Sequence, residues 1–240
     1  MARTVNVETR AIRREAFVET GLRLIQTKGY EQMSVQDVLD DLDVSRGAFY
    51  HYFSSKRELL EAVVDHVVAA ALAAVEPIAA DQQLPAIARM EGIFTGIAGW
   101  KAERRELMLA LVRVWYSDDN VLTRDKLRLH LGGSLVPMLA GIIREGAEQG
   151  VMSAGSPEGA ARAIVSLLLG AQDTAIELFV ARQEGTISVE SVVSTMAGYT
   201  EAFERILGIP PGSMTLLDEN TLRLWFGSGA ETGPLITIRR

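Results

Sequence analysis

An all-α fold is predicted by three features of the 240-residue chain. Apolar residues recur at helical spacing along most of its length, Pro77, Gly150, Pro157 and the Pro210-Pro211 pair punctuate the joins, and serines stand at several of the starts. With 48% hydrophobic residues the chain can bury a core, and at roughly 150 residues per domain it has room for one large or two small domains.

The first helix is read at residues 8–28. It is free of proline, carries Ala16, Phe17, Gly21 and Leu24 on one face, and stops at Gly29. Ser34 caps the next, with Asp37 three residues on as the carboxylate partner of a capping box, and that helix ends near Asp41. Leu42, Asp43 and Val44 form a three-residue turn. Ser45 then caps a second short helix running to about Tyr52. Ser54 or Ser55 starts a longer helix that Pro77 ends. Further helices are read at 82–101, 103–116, 119–148, 157–183 and 187–207, with Gly132, Gly133 and Pro137 predicting a kink or a split in 119–148. At the end, the alternating run TLRLWF (221–226), a glycine-rich loop and PLITIRR (234–240) suggest a C-terminal β-hairpin, with a mobile tail as the alternative.

Composition excludes several functions. With no cysteine there is no disulfide framework, thiolate metal site or cysteine nucleophile, and the chain suits a reducing cytoplasm. The histidines His51, His66 and His130 stand in no metal-binding spacing, and neither G-x-S-x-G nor a phosphate-binding loop is present. The expectation is therefore no enzyme, no cofactor and no metal. The longest apolar run, residues 67–75, is short of the roughly 20 residues a bilayer span needs, and the arginines near the start flank no apolar signal core. A cytoplasmic protein with no membrane partner is expected.

The stretch 34–60 is the informative one. Two short helices joined by a three-residue turn read as a helix-turn-helix, whose second helix presents its first residues to base edges in the major groove. Those residues are Ser45, Arg46, Gly47 and Ala48. Arg46 can donate two hydrogen bonds to guanine, Gly47 lets the backbone come close, and Ala48 suits a thymine methyl. Phe49 and Phe53, four apart, point inward, leaving Tyr50, His51 and Tyr52 for phosphates. Lys56 opens the next helix, where free N–H groups favour an anion.

This segment resembles the N-terminal domain of the TetR/AcrR family of bacterial regulators. The likeness rests on the run SRGAFYHYF (45–53), Lys56, Leu59, Leu60, the Gly29-Tyr30 pair and the start of the Ser34 helix, and it covers residues 8–65. It implies a three-helix DNA-binding domain, a larger helical domain for ligand and dimer, and a homodimer that leaves a palindromic double-stranded operator when a small-molecule effector binds. It also implies phosphate contacts at Ser34, Tyr50, His51 and Lys56, with base-proximal positions at Arg46, Gly47 and Ala48. Two positions depart from the pattern: Asp43 stands where glycine is usual and Leu42 where a small residue is common. An aspartate tolerates the left-handed backbone such a turn needs.

The expected domains are 1–57 for DNA, 58–207 for ligand and dimer, and a 208–240 extension. A charge split supports this division. The chain carries −7 overall, but residues 1–57 hold nine Lys/Arg against eight Asp/Glu, a net +1, and the remainder holds −8. Met90, Phe94, Trp100, Met108, Trp115, Tyr116 and Met138, with Arg113 and His130 as polar hooks, are candidates for an effector pocket, being large, adaptable or amphipathic. Ile164, Leu167, Leu168, Ala171 and Ala175 of one helix, and Val192, Val193, Met196, Tyr199 and Phe203 of the next, are candidates for a dimeric four-helix bundle. The alternative function is a helical small-molecule-binding accessory protein without sequence-specific DNA binding, suggested by Asp40, Asp41 and Asp43 beside the turn.

Overall fold

The computed structural model describes residues 2–115 and 121–227. They form helices in the order α1 (Ala2–Lys28), α2 (Val35–Leu42), α3 (Arg46–Tyr52), α4 (Lys56–Ala80), α5 (Ala86–Glu103), α6 (Arg105–Trp115), α7 (Val121–Glu148), α8 (Pro157–Gln183), α9 (Val189–Leu207) and α10 (Glu219–Phe226). No strand occurs among the described residues.

The chain divides into two compact units, Met1–Ala70 with Arg105–Thr123, and Ala71–Arg104 with Arg124–Arg240. The first boundary therefore lies beyond Arg57. Leu59, Leu60 and Val63 at the start of α4 are fully buried, and α6 joins the same unit by packing on α1. The core of this unit is Phe17, Val18 and Ile25 of α1, Val38 and Leu39 of α2, and Phe49 and Phe53 around α3, together with those α4 residues. Gly21 lets α1 approach α4 closely, since a Cβ there would lie 3.2 Å from the side chains of Leu59 and Val63.

The second unit is built on Met90, Ile93 and Phe94 of α5, Leu135, Leu139 and Ile143 of α7, Ala161, Ile164 and Val165 of α8, and Phe203 and Leu207 of α9. Arg89, 3% exposed, pairs with Glu145 and donates from Nη1 to the Ala79 carbonyl at 3.3 Å. That contact explains why Pro77 does not end α4. A proline removes one backbone donor, but the turn beyond it is held by Arg89 on Ala79 and by Ile78, whose Cγ2 would lie 2.7 Å from a Cβ on Gly92. Likewise α7 runs unbroken through Gly132, Gly133 and Pro137, so the split is not seen.

The predicted hairpin is also corrected. Residues 221–226 are helical in α10, where Asp218 accepts from the Thr221 N–H at 2.8 Å, and residues 234–240 lie outside the described residues. Nor is 208–227 a separate extension. Ile209 and Met214 belong to the core of the second unit, Glu204 accepts from the Met214 N–H at 3.1 Å, and Arg182 donates to the Phe226 carbonyl at 3.2 Å. By length and composition α4 and α8 could each cross a bilayer, which counting unbroken apolar runs had missed. Both place part of that apolar surface in a core, through Leu59, Leu60 and Val63 of α4 and Ala161, Ile164 and Val165 of α8.

Candidate nucleic-acid interface

The helix-turn-helix forms as its caps dictate. Ser34 Oγ accepts from the Asp37 N–H at 3.1 Å, while the Asp37 carboxylate accepts from the Ser34 N–H at 2.8 Å, a complete capping box. α2 ends at Asp43, the only non-glycine residue with positive φ among those described (φ 51, ψ 50). The aspartate thus adopts the left-handed conformation that glycine would otherwise supply. Ser45 caps α3 through the Ala48 N–H, and Ser55 caps α4 through the Glu58 N–H at 3.1 Å, which decides between the two serines. The Glu58 carboxylate accepts from both the N–H and the hydroxyl of Ser54, at 2.6 and 2.7 Å.

α3 is anchored from behind and open in front. Phe49 is 0% exposed and Phe53 1%, and Phe17 meets both edge-on, with ring centroids 5.8 and 6.0 Å apart. Facing outward are Ser45, Arg46 and Gly47 in the first turn, then Tyr50, 50% exposed, and His51. Ala48 is half-buried, as is Tyr52, whose ring packs at a tilt against Phe17. Lys56 Nζ sits 4.2 Å from the centre of the Tyr30 ring and 3.5 Å from the Glu31 carbonyl, and burial lowers its pKa. Ser34 is exposed on the same unit.

The acids of α2 are matched within this unit. Lys28 Nζ lies 2.6 Å from Asp37, Arg23 pairs with Asp41, and Asp40 accepts from Gln36 Nε2 at 2.7 Å. Lys28 and then the Ser34 N–H and hydroxyl hold the Asp37 pKa down at about 2, against an ordinary 3.8. A carboxylate depressed in the folded state stabilises above its unfolded pKa and loses that contribution as pH falls through the folded one. Asp37→Asn is expected to lower stability above about pH 4 and to flatten its pH dependence between about pH 4 and pH 2. Acid unfolding followed by circular dichroism checks this; an unchanged profile would refute it.

The predicted effector residues are less united. Met90 and Phe94 are core, Trp100, Met108 and Met138 are half-buried, and His130 is exposed. The side chains of Arg113 and Trp115, and all of Tyr116, lie outside the described residues. Sequence reasoning overlooked Lys101, whose Nζ donates to Gln172 Oε1 at 3.1 Å. Its signal was present, because Lys101 continues the buried spacing of Phe94 and Ile97 along α5. The first unit also holds a cavity of about 320 Å³ between residues 25–32 and Ala110 and Val114 of α6, and none of the described effector candidates lines it.

On the α8–α9 pair, Ile164, Val192 and Phe203 are fully buried in a single chain, which leaves a partner nothing to touch there; Ala171 and Met196 are nearly so. Leu167, Leu168, Ala175 and Tyr199 are half-buried and Val193 is exposed; Tyr199 hydrogen-bonds Thr174 of α8 at 2.8 Å.

Residues 17–63 match the profile of a family described as bacterial regulatory proteins, tetR family. The uncharacterized HTH-type transcriptional regulator YuxN of Bacillus subtilis is 42% identical over 50 residues, 21% of this chain and 17% of that protein. The HTH-type transcriptional regulator EthR of Mycolicibacterium smegmatis is 36% identical over 75 residues, 30% of this chain and 35% of that protein. The matched stretch is thus about a third or less of either relative's length. Among solved structures, a TetR transcription regulator from Haloarcula marismortui superposes with a TM-score of 0.59 at 20% identity, covering 80% of this chain and 98% of that one. A transcriptional regulator from Cytophaga hutchinsonii gives 0.55 at 19% identity, covering 68% and 81%. These two likenesses establish a shared helical fold.

Proposed function

We propose, from the match of residues 17–63 to the tetR family of bacterial regulatory proteins, that the chain is a cytoplasmic DNA-binding transcriptional regulator rather than an enzyme. In this reading it is a repressor that grips a palindromic operator as a homodimer and releases it when a small, largely apolar effector binds the second unit. Ser45, Arg46, Gly47 and Ala48 meet bases, while Ser34, Tyr50, His51 and Lys56 meet phosphates. The half-buried and exposed dimer candidates Leu167, Ala175, Val193 and Tyr199 pair with their copies across a two-fold axis.

The observation that carries the reading is Gly47. A glycine inside a helix costs about 1 kcal/mol relative to alanine. Here no neighbour requires it, since the nearest atom to a Cβ would be Ser45 Oγ at 3.9 Å. The residue is exposed, on a helix locked from behind by Phe49 and Phe53. A partner that comes close to the α3 backbone supplies the reason the chain itself does not. The accessory-protein alternative rested on Asp40, Asp41 and Asp43 near the turn, and of these Asp41 is matched by Arg23.

Footprinting of the chain's own promoter region tests the proposal. Two symmetric half-sites are expected, one or more turns apart at about 34–36 Å per turn, with binding that weakens as salt rises. Gly47→Ala is expected to stabilise the fold by up to about 1 kcal/mol and yet to weaken operator binding. An absent footprint together with salt-insensitive binding would overturn the regulator reading. A Gly47→Ala variant that binds as tightly as the parent would remove α3 from the contact.

A further inference from the structure

The core-facing stripes of α5 and α8 each carry a polar residue. On α5, Met90, Phe94, Ile97 and Lys101 fall at i, i+4, i+7 and i+11, and on α8, Ala161, Val165, Leu168 and Gln172 repeat that spacing. The first three of each stripe belong to, or pack on, the core of the second unit. The fourth residues meet, Lys101 Nζ donating to Gln172 Oε1 at 3.1 Å. Among the described residues no carboxylate pairs with Lys101; Asp173 pairs instead with Arg128 at 2.5 Å and Glu103 with Arg104 at 3.1 Å.

Two further observations bear on this spot. Every residue of 95–102 is half-buried, and so is every residue of 167–175 except the buried Ala171. A helix packed on one side alternates buried and exposed faces. Over two turns both segments keep partial access to solvent, so a small molecule can reach them. Burial also pushes the Lys101 pKa down, because its ammonium has left water for an amide rather than for a counter-charge.

The chemistry of the pair selects a ligand class. An ammonium has three donors and a glutamine amide two. With Gln172 Oε1 taken by Lys101, the amide nitrogen of Gln172 and the remaining ammonium protons are left to donate. Two adjacent donors, one of them cationic, suit the two oxygens of a carboxylate. The neighbouring turns, with Ile97 and Leu168, suit an apolar body.

We propose that Lys101 and Gln172 anchor the effector, and that the effector is a small carboxylate with an apolar tail. This rests on the effector-release reading above and names the ligand class for it. Its test uses the full chain with octanoate and 4-phenylbutyrate against the matching alcohols, read by thermal shift, tryptophan fluorescence and release of operator DNA. The carboxylates are expected to bind the parent at least ~10-fold more tightly than the alcohols. Lys101→Met is expected to abolish that preference while keeping the helical spectrum and operator binding, and Lys101→Arg to retain most of it. A parent with no carboxylate preference, or a Lys101→Met protein with the preference intact, overturns the assignment. Either result leaves the regulator reading standing if operator DNA is still bound. Failure of the parent to bind operator DNA would overturn that reading, and the ligand comparison would still decide the role of Lys101.

Discussion

Arg46→Ala is expected to lower operator affinity by roughly 5- to 150-fold per half-site, the equivalent of the ~1–3 kcal/mol of discrimination a bidentate arginine–guanine contact supplies. Arg46 opens α3 and is exposed. Its removal therefore leaves no buried group unsatisfied, and the melting temperature should stay within about a degree or two, as for other exposed positions. The informative comparison is with non-operator DNA. A base-reading arginine affects specific binding far more than nonspecific binding, whereas a phosphate-binding lysine weakens both alike and flattens the salt dependence. Titrations of operator and scrambled duplexes at several salt concentrations separate the two. Equal losses on both duplexes would demote Arg46 to a general cation.

The second large effect is on stability. Phe49→Ala is expected to cost about 3–5 kcal/mol, the range for truncating a buried aromatic. A single domain commonly has only about 5–15 kcal/mol in all. Phe49 is wholly buried and ties α3 to α1 through Phe17 and to its own C-cap residue Phe53, at ring separations of 5.8 Å. The cavity cannot close without moving α3 itself, so DNA affinity should fall with stability. Phe49→Leu refills part of the volume and should recover over half of both losses. Urea unfolding of the two variants checks the order; a Phe49→Ala transition at the parental midpoint would refute the anchoring role.

Much of the first unit was legible because its signals are local. A serine three residues before an acid specifies a cap, a turn of fixed length specifies where the next helix begins, and two phenylalanines four apart specify which face turns inward. Asp43 was legible as well, since few side chains tolerate the left-handed conformation found there. What escaped was decided at a distance. Pro77 reads as a stop, yet the turn beyond it is held by Arg89 from α5. The run 221–226 reads as a strand with Leu222, Leu224 and Phe226 on one face. The helix instead buries Leu222 and Phe226, four apart, and leaves Leu224 47% exposed. A six-residue run fits either period, and the Asp218 cap was the overlooked arbiter. Ile164, Val192 and Phe203 show the remaining ambiguity. An apolar stripe reports that something apolar faces it, and cannot report whether that neighbour is the same chain or a second copy.

The pairing of Lys28 with Asp37 and Arg23 with Asp41 bears on gene dosage. Cations already engaged by their own carboxylates have little to offer to random chromosomal DNA, which is held almost entirely by unpaired positive charge. In the proposed regulator, with two of the nine cations of residues 1–57 engaged in this way, fewer nonspecific chromosomal sites compete for its copies. Occupancy of an unsaturated operator should then track the number of molecules the cell makes, with little buffering by the rest of the chromosome.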